Sequence, residues 1–281
     1  MKKIYTIIIL ALITLTAGAQ NTKELWVFHT NDTHSRIEPL SKNNPDPTIA
    51  GKAGYMRRAT FVNEQRKKHP DMLLFDSGDV CQGTPYFNLF KGELEYKLMD
   101  QIGYDAVTIG NHEFDFGMDN LARLYKLIHF PVVCCNYDVT GTVLEGLVNP
   151  WIVIKRNGLK IGVFGVSPEL DGLVQKKNCE GVKFNDPSEC AQKAADYLRN
   201  EENCDVVICL SHLGWHEMKY CDVKLIAETR GIDAVIGGHS HSYFDAPAFY
   251  KNLDGKEIPV SQMGKHGAYV GWMKITLEEE K

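Results

Sequence analysis

The sequence has little of what would mark a cross-linked scaffold or a nucleic-acid binder. It contains no Cys-x-x-Cys pair, which removes the zinc ribbon and the thioredoxin motif. Lysine and arginine total 31 against 36 aspartates and glutamates, a formal charge of −5, so the basic footprint of a protein that binds a nucleic-acid polymer is missing. There is no internal repeat, no low-complexity linker, and only 11 prolines. Disordered and collagen-like chains are excluded in turn, because 44% of the 281 residues are hydrophobic, enough to pack a core. At this length folding buries roughly 75% of the unfolded surface, so disulfide staples are not required.

The one long apolar run, Ile4 to Thr16, is shorter than the ~20 residues of a membrane span. Lys2 and Lys3 precede it and Ala17-Gly18-Ala19 follows it, the pattern of a signal peptide over residues 1–19. The expectation is an exported protein, periplasmic or secreted, with one domain over 20–281 and no stable membrane span after cleavage. No cysteine follows the run to take a lipid. Of the eight cysteines, Cys134 and Cys135 are adjacent and Cys209 lies inside Val206 to Leu210, which suggests small buried hydrophobes. Bridges among Cys179, Cys190, Cys204 and Cys221 stay open.

Short apolar runs then alternate with helical patterns. Leu25 to His29, Met72 to Phe75, Ala106 to Ile109, Val132 to Cys135, Val206 to Leu210 and Ala234 to Ile236 read as buried strands. Leu121, Leu124, Tyr125 and Ile128 repeat at helical spacing, as do Ala191, Ala194, Ala195 and Leu198 behind the start signal Asp186-Pro187-Ser188. Asn157-Gly158 between two apolar stretches predicts a hairpin, and Ile258 to Leu277 is strand-rich. The pattern predicts one α/β domain with mixed sheets and helices outside.

The unusual polar residues fall where these strands end. Thr30-Asn31-Asp32-Thr33-His34, Asp76-Ser77-Gly78-Asp79, Gly110-Asn111-His112-Glu113, Ser211-His212 and Gly237-Gly238-His239-Ser240-His241 each follow a predicted strand. Open α/β sheets bind ligands at the carboxyl ends of their strands. Singly each block has a plain structural explanation: a turn, a helix cap, a solvated loop. Five on successive strand ends point instead to one site. Its donors are imidazole and oxygen without thiolate, which favours a pair of catalytic divalent ions over structural zinc and tolerates zinc, manganese, iron or magnesium. Two ions about 3.5–4 Å apart would clamp a hydroxide between them.

The ordered set Asp32-Thr33-His34, Gly78-Asp79, Gly110-Asn111-His112-Glu113, His212 and Gly238-His239-Ser240-His241 resembles the calcineurin-like metallophosphatase superfamily. Phe28 to His34, Asp79 to Pro85 and Gly110 to Gly117 resemble, within it, the N-terminal catalytic domain of the exported 5′-nucleotidases. The resemblance implies a sandwich of two mixed β-sheets flanked by helices, and a dinuclear centre whose bridging hydroxide attacks phosphorus. It implies that Asp32, His34 and His241 hold the first metal, that Asn111, His212 and His239 complete the second, and that Asp79 bridges. His112, steadied by Asp115, would contact the phosphoryl group and leaving oxygen, with Asn111 also touching substrate. A histidine at 241, where some family nucleotidases carry glutamine, matches the wider superfamily.

The implied activity is hydrolysis of a small-molecule phosphate ester, a nucleotide first. A 2′,3′-cyclic-nucleotide phosphodiesterase and a nucleotide-sugar pyrophosphatase use the same kind of site. Full nucleotidases continue into a C-terminal nucleotide-binding domain, and residues up to Lys281 do not include it. A separate partner chain supplying that domain is therefore a third expectation. His216 reads as a neighbour or surface residue rather than a ligand, and His29 as a strand residue near the site. His69, His129 and His266 read as ordinary histidines. Asn31-Asp32-Thr33 matches a glycosylation sequon that is discounted for its place in the site.

Overall fold

The computed structural model describes residues 22–278, and the expected leader over 1–19 lies outside them. In chain order the elements are β1 (Thr22–Thr30), α1 (Tyr55–Lys68), β2 (Leu73–Asp76), α2 (Pro85–Phe90), α3 (Glu93–Ile102), β3 (Ala106–Thr108), α4 (Gly117–Tyr125), β4 (Val132–Val133), β5 (Tyr137–Asp138) and β6 (Val148–Asn149). There follow β7 (Trp151–Arg156), β8 (Leu159–Val166), β9 (Lys183–Phe184), α5 (Pro187–Asn200), β10 (Val206–Ser211), α6 (Asp222–Glu228), β11 (Ala234–Ile236), β12 (Ala248–Lys251), β13 (Glu257–Ser261) and β14 (Gly271–Glu278).

Two six-stranded sheets result, ordered β14-β1-β2-β3-β4-β6 and β12-β13-β11-β10-β8-β7. Both are mixed. Antiparallel β14 edges a parallel run in the first, and β7 and β12 edge a parallel run in the second. Strand alternation decides what each face buries. Leu25 and Val27 of β1, Leu73 and Phe75 of β2, and Val206, Ile208 and Leu210 of β10 meet in one buried layer between the sheets. Their neighbours Phe28 and Leu74 face outward to a layer with Tyr55 and Val62 of α1 and Tyr96 and Met99 of α3. Val207 and Cys209 face the other way, onto Ala191, Ala194, Ala195 and Leu198 of α5. Each fully buried Leu, Val, Ile or Phe contributes about 1.5–3 kcal/mol. The sandwich with helices on both outer faces is the expected architecture.

Local signals act where the sequence places them. Asp186 accepts the Glu189 N–H at 3.0 Å and Pro187 opens α5, as a capped helix start requires. The Asn157-Gly158 turn joins β7 to β8 with Arg156 opposite Leu159. All eight cysteines lie in the described region and are free, so the bridges left open above are not made. Among the described residues no helix is long and apolar enough to cross a membrane.

Candidate metal centre

The parallel strands β1, β2 and β3 of one sheet and β10 and β11 of the other end on the same edge of the sandwich, and their carboxyl-end loops interlock. The Asp32 N–H donates to the Gly78 carbonyl at 2.9 Å and the His34 N–H to the Asp79 carbonyl at 3.0 Å. Space is tight at Gly78, where a Cβ would lie 2.6 Å from the Gly110 nitrogen and 2.9 Å from His212 Nδ1. Asp32, His34, Asp79, His239 and His241 all have positive φ, between 46° and 70°. Such backbone costs about 1–3 kcal/mol per non-glycine residue and persists where surrounding contacts enforce it, commonly at functional sites.

Two groups of donors result. Atoms of Asp32, His34 and His241 lie within 4.8 Å of one another, and so do atoms of Asp79, His212 and His239. The groups adjoin: His212 Nε2, 3.2 Å from Asp79 Oδ2 in its own group, is 4.0 Å from Asp32 Oδ1, and His34 Nε2 is 4.0 Å from Asp79 Oδ2.

The hydrogen bonds test whether the residues suit cations. His212 donates Nδ1–H to the Ser77 carbonyl at 2.6 Å, and His34 directs Nδ1 at the Cys81 carbonyl at 3.2 Å. These bonds fix the tautomers and aim both Nε2 atoms inward. His34 Nε2 then faces His241 Nε2 at 3.0 Å, and His212 Nε2 faces a carboxylate oxygen. Acceptors opposed in this way repel unless a proton or a cation stands between them. Buried Asn111 Oδ1 has no hydrogen-bond partner, a cost of about 1–3 kcal/mol that a metal would remove. The donor set fits two divalent ions.

Without a metal, a proton on His212 supplies part of that positive charge. Burial alone would lower the His212 pKa, but the Asp79 and Asp32 carboxylates carry it up to about 10. Burial would raise Asp79, yet His212, His34 and His112 hold it well below the usual carboxylate range. Burial and the charge of His212 bring His239 down to about 4, and burial also lowers His34 against the pull of both aspartates.

His112 stands beside these groups. Its backbone N–H donates to Asp79 Oδ1 at 2.9 Å, its ring centroid is 5.5 Å from that of His34, and its Nδ1 is 3.0 Å from Asp115 Oδ2. Burial opposes its charge, but the Asp115 hydrogen bond and the charges of Asp79 and Asp115 raise its pKa overall.

A family model described as calcineurin-like phosphoesterase matches residues 25–243, most of the chain. The chain belongs to that family. It is 31% identical to a 5′-nucleotidase of Bos taurus over 97% of this chain and 50% of the relative. A 5′-nucleotidase precursor of Thermus thermophilus superposes with a TM-score of 0.80 at 32% identity, over 90% of this chain and 51% of that one. The calcineurin-like phosphoesterase YfkN of Bacillus subtilis gives 0.76 at 27% identity, over 92% and 87%. The chain spans about half the length of the curated nucleotidases it matches first.

In this calcineurin-like chain all the expected site residues converge on one edge. His216 stays out, against Trp215 and Glu217, while His69 stacks on Trp26 and exposed His129 pairs with Asp100. His266 lies near the site without joining either donor group. Its N–H donates to the Asp32 carbonyl at 2.7 Å and its ring lies 6.2 Å from that of His34, but it is far from both in sequence, so no motif marks it. The motif reading gives Glu113 no role. Its buried carboxylate accepts N–H groups of Asp79, Val80, Cys81 and Gly110 at 2.6–3.2 Å, tying two ligand loops together, and burial with the Asp79 charge raises its pKa to about 7. Asn31 is buried and donates to Asp32 Oδ2 at 2.6 Å and the Gly264 carbonyl at 2.8 Å, which removes it as a glycan acceptor.

Proposed function

We propose that this protein is an exported, metal-dependent phosphomonoesterase of the 5′-nucleotidase type, acting on nucleotides or related esters. The observation that carries the reading is His112, an imidazole outside both donor groups, held by Asp115 at their rim. Simple metal storage has no use for such a pair.

Asp32, His34 and His241 would hold one ion and Asn111, His212 and His239 a second, with Asp79 shared. Bound divalent ions supply positive charge for phosphoryl oxygens and a water acidic enough to attack near neutral pH. The chain's own part begins with orientation: the Ser77 and Cys81 carbonyls and the Glu113 clamp keep the donors aimed before substrate arrives. Asp115 occupies His112 Nδ1, so Nε2 is the ring atom that meets substrate. Raised in pKa, His112 can carry the proton that the departing alkoxide takes up, and its charge offsets the phosphoryl oxygens.

A second reading keeps this chemistry but takes nucleotide selection from another chain or domain. It is favoured by the nucleotidases being about twice as long as this chain. The test is hydrolysis of AMP, a 2′,3′-cyclic nucleotide and a nucleotide sugar by wild type, Asp79→Asn and His112→Ala. AMP turnover should lead and fall about 10²–10⁴-fold in the His112 variant. Full activity in both variants contradicts the proposal.

A further inference from the structure

His239 and His241 belong to different donor groups, yet both lie on the one short loop after β11. Each has left-handed backbone, with φ of 70° and 54°, which persists only where neighbouring contacts enforce it. His34 and His212 are aimed by ring bonds to carbonyls, but among the described residues no carbonyl meets the rings of His239 or His241. Whatever holds this loop therefore aims one donor of each group.

Gln262 holds it. The residue follows β13, is fully buried, and reaches across to the loop because β11 and β13 pair in parallel, with Ile236 opposite Ser261. Its Nε2 donates to the Gly238 carbonyl at 2.8 Å, and its Oε1 accepts the Ser242 N–H at 2.5 Å and the Ser240 hydroxyl at 3.1 Å. One amide grips residues 238, 240 and 242, the positions that alternate with the two donors. The Gly238 carbonyl can only accept and the Ser242 N–H can only donate, so the amide has one orientation. A carboxylate in its place would set oxygen against oxygen at Gly238, and an apolar chain would leave both backbone groups unpaired. The next two residues hold the other sheet. The Met263 N–H donates to Asn31 Oδ1 at 2.8 Å, and Asn31 Nδ2 donates to the Gly264 carbonyl at 2.8 Å and to Asp32 Oδ2 at 2.6 Å.

We propose that Gln262 is a positioning residue for both ions: its amide sets the aim of His239 and His241 together, so one side chain that is no ligand governs both affinities. The proposal rests on the two-ion reading of the donor groups. The test strips the full chain of metal and titrates it with Mn2+ by calorimetry, as wild type, Gln262→Met, Ser240→Ala and His241→Ala. Urea midpoints and AMP turnover are measured beside it.

Gln262→Met keeps the bulk and removes all three side-chain bonds, and both ions should bind about 10–100-fold more weakly. His241→Ala removes a donor from one group and should weaken one ion far more than the other. Ser240→Ala deletes the exposed hydroxyl and its bond to Gln262, and should weaken both ions about two- to tenfold. That milder variant decides the matter if Gln262→Met does not fold. Unchanged affinities, or a loss confined to one ion, overturn the proposal. So does a lowered urea midpoint with both affinities intact, the mark of a role in packing alone. Wild type that binds fewer than two Mn2+ overturns the two-ion reading and the proposal with it. Wild type that binds two ions without hydrolysing AMP removes the phosphomonoesterase reading, and the affinities alone then decide the role of Gln262.

Discussion

His112 lies between opposing influences. Burial disfavours its charge, while Asp115 at 3.0 Å and the Asp79 carboxylate favour it, and the balance lifts its pKa above the ordinary imidazole value. A raised pKa keeps the imidazolium present to higher pH. If that proton serves the leaving oxygen, activity is lost as pH rises through the His112 pKa. Asp115→Asn keeps the shape and removes the charge, so the pKa must fall. The alkaline limb of the kcat/KM profile for AMP should move to lower pH in that variant. A limb that stays in place would show that another group sets it. His266 and Glu113 mark what residue-level reading loses: one reaches the site from a distant loop, and the other acts by accepting backbone N–H groups, which leave no trace in sequence.

At the scale of elements, β8 makes a close approach to the other sheet. A Cβ at Gly165 would lie 2.1 Å from the Val133 carbonyl oxygen and 2.3 Å from Thr108 Oγ1, so β8 can approach β3 and β4 only without a side chain. Gly165→Ala should cost about 1–3 kcal/mol by overpacking, read as a lower urea midpoint, because backbone cannot yield as a side chain can. A midpoint equal to wild type would contradict that packing. The elements legible in sequence are those with a strong period or an explicit boundary: β10, with Val206 to Leu210 all buried, the β7–β8 hairpin, and capped α5. Helix α1 is not legible because its buried residues are only Tyr55, Arg58 and Val62, leaving no continuous apolar stripe. The two-residue strands β5 and β9 pair only with each other and are too short to show a period. The candidate donor residues stand out for the opposite reason. They are polar residues at the ends of buried strands, and Asp32, His34, Asp79, Asn111 and His212 are themselves buried.

The whole molecule joins two half-sites. Asp32, His34, Asp79 and Asn111 come from loops of one sheet, and His212, His239 and His241 from loops of the other, so the donor groups form only when the sandwich is closed. Imidazoles and carboxylates from both halves meet there with lone pairs opposed. The arrangement has a clear purpose only with cations between them. The most direct test removes all metal from the full chain, restores one divalent ion type at a time, and measures bound ions per chain alongside AMP hydrolysis. The expected result is no turnover in the stripped protein, and recovery that saturates at two ions per chain. Turnover that survives metal removal, or reconstituted protein that binds fewer than two ions at full activity, would contradict it.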